Sequence, residues 1–155
     1  MADDAHLGTD LRIELGRQEW RPVYAVATEL RRVPGRAYRL EDLASVSGRG
    51  NLGQAVLARL LTPRGELTAL GHPEYGSRLH ELVGRTNTAT TRNLVKLYVL
   101  ETLEREPRID KVLRVVVEPS PVRRDLVEVL IELLPARLGP LDTLTIGPLA
   151  LELEP

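Results

Sequence analysis

The sequence predicts an α+β fold, in which helices are followed by a small, mostly antiparallel sheet. In the middle of the chain apolar residues recur at helical spacing, and in its last third they alternate with polar residues as strands do. The period changes near Pro107, where a proline would end a helix. Helical segments followed by a run of strands are typical of α+β domains. A length of 155 residues suits a single domain.

The first 47 residues give the least regular pattern. Residues 11–15 alternate apolar and charged side chains and predict a strand. Residues 23–30 fit either a strand or a short helix, because their apolar spacing does not distinguish the two. Residues 33–36 carry a turn signal. We therefore treat residues 1–47 as an N-terminal extension whose structure is left open, and residues 48–155 as the main domain.

Three helices are predicted at the start of the main domain. The first spans residues 52–61, with Asn51 as its N-cap and Pro63 as its stop. A short second helix is predicted over residues 73–84, because proline suits a first helical position and glycine suits a C-cap. The third helix, residues 90–105, is apolar nearly all round in its middle. We expect that helix to be covered on more than one side.

Four strands are predicted after the helices. Residues 112–118 are rich in Val, and residues 126–134 alternate apolar and acidic side chains. Residues 141–146 and 149–154 form the last two predicted strands, on either side of Gly147-Pro148. A strand near a chain end often lies at a sheet edge, which can accept a strand of another chain. An ordinary internal strand explains the pattern equally well.

The composition excludes several kinds of site. The chain has no Cys, and its three His are scattered, so we expect no disulfide, thiolate nucleophile, metal or other cofactor. A net charge of -1 excludes a basic field over the whole chain, although not a local basic patch. We expect no nucleic-acid partner. All of the 21 basic residues except Lys96 and Lys111 are Arg, which suits fixed interfaces and is explained equally well by codon usage.

Five residues could form an acid–base site. Glu66, Glu74 and Glu81 are carboxylates near predicted turns, and His72 and His80 lie close to them in sequence. A glycosidase needs two carboxyl groups on either side of the scissile bond. Nothing in the pattern marks a raised pKa, so solvated surface residues are the favoured interpretation. A peptidoglycan-cleaving, lysozyme-like enzyme is kept as the alternative function.

The tripeptide Glu106-Pro107-Arg108 is a stronger candidate site. Pro107 prevents the helix from continuing and holds Glu106 extended, so two opposite charges flank a rigid corner. Arg108 can bond the free carbonyls at the helix end, or a partner's carboxylate through two parallel bonds. Taken alone, the tripeptide is also explained by a plain helix stop.

Four separated motifs occur in one order along the main domain. They lie at residues 51–55, 59–67, 73–79 and 106–109. Together they resemble the gene-25-like baseplate family of contractile tails, which includes a wedge protein of tailed phages and TssE of type VI secretion systems. The resemblance covers residues 48–155, and residues 71–91 look most similar to members in extracellular contractile injection systems.

This resemblance implies a small α+β domain at the junction of baseplate and sheath, in six copies per sixfold baseplate. It implies that Glu106, Pro107 and Arg108 dock onto baseplate wedge proteins. It also implies that the C-terminal strands pair with extended arms of the first ring of sheath protein and template sheath assembly. The residues expected to pair with the sheath strand are Leu149, Leu151, Glu152, Leu153 and Glu154. Inner tube or hub proteins are further expected partners.

The expected function is therefore a structural role and not an enzymatic one. The first residues are acidic and carry no apolar region, so we expect no signal peptide. No apolar run approaches the ~20 residues that a membrane-spanning helix needs. We expect assembly in the cytoplasm and incorporation into an injection particle.

Overall fold

The computed structural model describes residues 4–18, 21–139 and 142–154. It confirms the α+β fold class, with α-helices and small antiparallel sheets. The chain divides into two compact units, one that ends at Gln54 and one that begins at Ala55. The division of the sequence after residue 47 stays a prediction.

The N-terminal unit contains six short strands. These are β1 (Thr9–Leu11), β2 (Ile13–Gln18), β3 (Arg21–Val26), β4 (Thr28–Arg32), β5 (Arg39–Leu43) and β6 (Ser45–Ser47). They pair as three antiparallel ribbons, β1 with β6, β2 with β3, and β4 with β5. The strand predicted at residues 11–15 is present but is interrupted at Arg12, and residues 23–30 are strand on both sides of Ala27.

The three ribbons meet at a three-way junction formed by Arg12, Ala27 and Ala44. The N–H of Arg12 donates to the Ala44 carbonyl, the N–H of Ala27 to the Arg12 carbonyl, and the N–H of Ala44 to the Ala27 carbonyl, each at 2.8 Å. This closed cycle satisfies backbone groups at the point where three ladders end. Ala27 and Ala44 are buried, and their small side chains suit the close approach of three ribbons.

Helix α1 (Gly48–Leu61) begins earlier than predicted. Asn51 lies inside the helix, so its prediction as the N-cap was wrong. Its buried side-chain amide instead donates to the Leu7 carbonyl at 3.0 Å. Gln54 accepts a hydrogen bond from the N–H of Ile13 at 2.8 Å. Asn51 thus bonds the short 3-10 helix Ala5–Leu7 that precedes β1, and Gln54 bonds the start of β2.

The second unit contains helix α2 (Ala89–Leu103), which confirms the longest predicted helix. Thr88 caps it by accepting a hydrogen bond from the N–H of Thr91 at 3.1 Å. Buried side chains on several turns of α2 include Val95, Tyr98 and Val99. No helix in the described part of the chain is long and apolar enough to cross a membrane.

The helix predicted over residues 73–84 was wrong. Turns occupy this segment, with one short 3-10 helix at Leu79–Glu81. The N–H of Ser77 donates to the Thr62 carbonyl and the N–H of Arg64 donates to the Ser77 carbonyl, each at 2.8 Å. These bonds place Ser77 in a bridge with Pro63 just after α1, and a helix over residues 73–84 would break them.

A three-stranded antiparallel sheet completes the second unit. Its strands are β7 (Ile109–Pro119), β8 (Leu126–Pro135) and β9 (Leu144–Glu152), in the order β7–β8–β9. The central strand β8 buries alternate residues, as a sheet with one covered face does. The two predicted final strands are one continuous strand, with a cis Gly147-Pro148 bond inside it, and position 141 of that prediction lies outside the described residues. The ladder shifts register there, and the edge position of β9 accommodates a residue without an N–H.

Two glycines test the packing of the 62–77 region. Gly76 has a φ of 102°, and a Cβ there would lie 2.5 Å from the Thr62 carbonyl oxygen. Gly71 has a φ of 86° and open space around it. We expect Gly71→Ala to lower the free energy of unfolding by about 1 kcal/mol through backbone strain alone. Gly76→Ala should cost about 3 kcal/mol, because overpacking adds to the strain. Equal losses in urea unfolding would show that the close approach to Thr62 is unimportant.

Candidate functional site

The corner between α2 and β7 is formed by the predicted tripeptide. The N–H of Glu106 donates to the Leu103 carbonyl and the N–H of Ile109 donates to the Glu106 carbonyl, each at 3.0 Å. The helix has ended by Glu104, and Pro107 is exposed at the turn. The expected rigid corner is therefore present.

Glu106 is buried, with a side chain only 4% exposed. One carboxylate oxygen accepts a hydrogen bond from Arg108 Nε at 2.6 Å, and the other accepts one from an Arg59 terminal nitrogen at 3.3 Å. Burial works against ionisation and is the largest influence, but the bonds and charges of Arg108 and Arg59 together outweigh it. The pKa of Glu106 therefore lies below its ordinary value. The sequence suggested two charges on either side of a corner, and the structure pairs them with each other.

Arg59 links this carboxylate to an aromatic ring. Its guanidinium carbon lies 4.6 Å from the centre of the Tyr75 ring, within the range of a cation–π contact. Burial is the main cause that raises the pKa of Tyr75 above its ordinary value. We call Arg59, Tyr75, Glu106 and Arg108 the Glu106 cluster.

A second ionic network lies between the 71–75 loop and α2. Arg105 bonds Glu74 at 2.7 Å and lies 3.7 Å from Glu101. Arg64 lies 3.0 Å from Glu101 and 3.5 Å from Glu74. Two arginines and two glutamates thus alternate around a closed set of four contacts, which holds the loop against the helix.

The sequence reasoning did not single out Arg59, Arg64, Tyr75 or Arg105. A signal for three of them was present, because Arg59 and Arg64 lie in the motif at residues 59–67 and Tyr75 lies in the motif at residues 73–79. Three of the four motifs therefore converge on the Glu106 cluster and the neighbouring network.

A cleft of about 470 Å³ opens beside these two groups. It is lined by Arg59, Gly71, His72, Pro73, Glu74, Tyr75 and Arg105. The charged groups at its wall are already paired within the chain, Arg59 with Glu106 and Arg105 with Glu74.

The carboxylates considered for acid–base chemistry are solvated or paired with arginine. Glu74 is exposed and contacts Arg105 and Arg64. Glu81 accepts two hydrogen bonds from Arg78, each at 2.9 Å, which hold the pKa of Glu81 below its ordinary value. A glycosidase acid instead needs a protonated carboxyl in an apolar pocket. Glu66 is also exposed.

The C-terminal strand β9 is an edge of the sheet. In the described ranges no strand pairs with β9 on the side away from β8. Leu149, Leu151 and Glu152 are half-buried, Leu153 is buried and Glu154 is exposed.

The backbone beyond β9 is bonded within the chain. The N–H of Leu153 donates to the Asp125 carbonyl at 2.6 Å, and the N–H of Glu154 donates to the Arg85 carbonyl at 2.8 Å. The edge available to another strand is therefore the segment Leu144–Glu152. Three of the five residues expected to pair with a sheath strand lie on it. Leu153 and Glu154 lie beyond it, and sheath pairing at all five positions stays a prediction.

Comparison with known proteins shows a shared fold. No protein-family model and no curated protein matches the sequence. The solved structure of a candidate tail lysozyme from Geobacter sulfurreducens matches with a TM-score of 0.50 and 22% identity. The match covers 68% of this chain and 90% of that one. The chain thus has the fold of a protein described as a tail lysozyme, and membership of the gene-25-like family stays a prediction.

Replacement of Glu106 by Gln tests the buried ion pairs. We expect the free energy of unfolding to fall by about 3 kcal/mol at neutral pH, because two partly buried guanidinium groups lose their counter-charge. Because the pKa of Glu106 is lowered by folding, its carboxylate stabilises the fold at pH values above 4.5, its ordinary pKa. That stability is lost as the pH falls through the lowered pKa of the folded state. The difference between wild type and Glu106→Gln should therefore shrink on acidification.

Urea unfolding at successively lower pH measures this difference. Glu118→Gln on β7 is the matched control, because Glu118 is exposed and its loss should change stability by no more than about 0.5 kcal/mol. A difference in the free energy of unfolding between wild type and Glu106→Gln that stays constant as the pH falls would contradict the assignment of a stabilising ionised carboxylate to Glu106.

Proposed function

We propose that this protein is a structural baseplate subunit of a contractile injection system or phage-like tail, which links the baseplate wedge to the sheath. The observation that carries the proposal is the convergence of three family-like motifs on the Glu106 cluster. Motifs that are separate in sequence but meet at one surface are expected of a shared docking site. The fold shared with a protein described as a tail lysozyme supports a tail-related role.

Docking onto the wedge is assigned to the surface around the corner. Pro107 is exposed, and the side chain of Arg108 is 30% exposed. Glu106 is buried, so we assign it the positioning of Arg108 and Arg59 rather than direct contact with a partner. The adjoining cleft, lined by Arg59 and Arg105 beside Glu74, gives a wedge protein a concave surface next to Arg108.

Templating of the sheath is assigned to the open edge of β9. Strand addition supplies main-chain hydrogen bonds and makes little demand on side-chain identity. Glu152 at the end of β9 would discourage indiscriminate edge pairing and favour a basic arm of the sheath protein. Six such edges in a sixfold baseplate would start six sheath strands.

The proposal includes assembly in the cytoplasm, incorporation into the particle, and contact with inner tube or hub proteins. It includes no enzymatic step. Genes for sheath, tube and spike proteins are expected beside the gene for this chain. A peptidoglycan-cleaving enzyme is the second candidate, since the matched solved structure is described as a tail lysozyme. Peptidoglycan turnover by the purified chain that Glu74→Gln abolishes would favour that candidate.

Arg108→Ala tests docking. The variant loses the 2.6 Å bond to Glu106 but keeps the Glu106–Arg59 contact at 3.3 Å, so it should be less stable than wild type but folded, which circular dichroism and urea unfolding check. It should be missing from baseplates purified from cells that produce the complete particle. Arg114→Ala, an exposed arginine on β7, is the matched control and should be incorporated. Normal incorporation of folded Arg108→Ala would overturn the docking assignment.

Ala150→Lys tests templating by β9. Ala150 is exposed on the edge strand, and a lysine there should repel a basic arm and protect the edge from strand addition. Electron microscopy should show complete baseplates that lack sheath. Glu118→Lys on β7 is the control and should give sheathed particles. Sheathed particles at the wild-type frequency with Ala150→Lys would refute the role of this edge.

A further inference from the structure

The ribbon of β4 and β5 projects from the three-way junction with both faces exposed. Every residue of Thr28–Arg32 and Arg39–Leu43 is exposed. A two-stranded ribbon without a covered face is marginally stable in water. The junction fixes this ribbon at its base through the backbone bonds of Ala27 and Ala44. Its faces are therefore held in place and free for contact.

The outer end of the ribbon is strongly basic. Residues 31–40 contain four arginines and no acidic residue. Arg31 lies 3.3 Å from Asp42, and Arg36 bonds and stacks on Tyr38. In the described part of the chain, Arg32 and Arg39 have no ion-pair partner.

Arg32 and Arg39 lie directly opposite each other in the register of the ribbon. Like charges at directly opposed positions destabilise a strand pair. A carboxylate between them would remove the repulsion and could accept hydrogen bonds from both guanidinium groups.

The same face also carries apolar side chains. Residues two apart on a strand share a face, so Leu30 and Leu43 lie on the face of Arg32 and Arg39. Leu30 is 66% exposed and Leu43 is 51% exposed. The one acidic residue of this face, Glu41, accepts a hydrogen bond from the Thr28 hydroxyl at 2.6 Å. This face therefore presents two exposed leucines, Leu30 and Leu43, and beyond them the opposed arginines at the end of the ribbon away from the junction.

We propose that this face of the β4–β5 ribbon docks a segment of another protein that has apolar residues followed by acidic residues. The apolar residues cover Leu30 and Leu43, and a carboxylate binds between Arg32 and Arg39. A nucleic acid fits less well, because acidic residues lie at the base of the ribbon and Tyr38 is its one aromatic residue. This role is independent of membership of a contractile tail and is measured on the isolated full chain.

A synthetic peptide with an apolar half of Leu and Val and an acidic half of Glu is the probe. Its matched control has Gln in place of each Glu. Calorimetric titration should show salt-dependent binding of the Glu peptide, about tenfold or more tighter than binding of the Gln peptide, as charge-assisted hydrogen bonds imply. Arg32→Gln/Arg39→Gln should remove this preference. The control Arg114→Gln/Arg124→Gln removes two positive charges at exposed positions elsewhere, and it should still prefer the Glu peptide.

Arg32→Glu separates docking from folding. It replaces the opposed arginines by a cross-strand ion pair, so amide exchange in β4 and β5 should slow while binding of the Glu peptide is lost. Full binding by Arg32→Glu would overturn the proposal. Tighter binding of single-stranded oligonucleotides or of phosphatidylserine vesicles than of the Glu peptide would also overturn it, because the ligand would then be a phosphate.

Discussion

Ionisation of the buried Glu106 carboxylate constrains much of the second unit. Removal of a carboxylate from water costs several kcal/mol unless cations and hydrogen-bond donors replace the solvent. Arg59 reaches Glu106 from α1, and Arg108 reaches it from within the corner itself. Tyr75 lies against Arg59 and fixes the loop that carries it. The end of α1, the 71–75 loop and the corner after α2 must therefore be in place together for the charge to be tolerated.

The sheet follows from the same corner. Because the N–H of Ile109 bonds the Glu106 carbonyl, the start of β7 is fixed by the residue whose side chain is buried. β7 then pairs with β8, and β8 pairs with β9 on its other side. The chain reaches β9 last and leaves it at the edge, where the absent N–H of Pro148 does no harm. A docking corner and a pairing edge thus lie on one continuous framework.

The parts of the fold that local patterns determine were predictable, and the parts that distant contacts determine were not. α2 and β8 show their periods in consecutive residues, and both are confirmed. Asn51 resembles an N-cap in the sequence, but its side chain bonds the Leu7 carbonyl. The helix expected near Ser77 does not form, because the backbone of Ser77 bonds Thr62 and Arg64 instead. The three-way junction depends on backbone bonds, and the small residues Ala27 and Ala44 at its centre do not reveal in the sequence which ribbons they join. The tripeptide at Glu106 was identified, whereas its burial depends on Arg59, which is 47 residues away.

The preference for arginine over lysine now has a structural use. Both lysines, Lys96 and Lys111, are exposed, whereas arginines form the planar, forked contacts around Glu106, Glu74 and Glu101. Codon usage would place arginine without regard to such contacts. Arg32 and Arg39 lie opposite each other on the β4–β5 ribbon, and the repulsion between their charges lowers the stability of the isolated chain. Two arginines therefore neutralise the buried charge of Glu106, which folding requires. Arg32 and Arg39 instead face each other at the surface, and their charges are available to a partner.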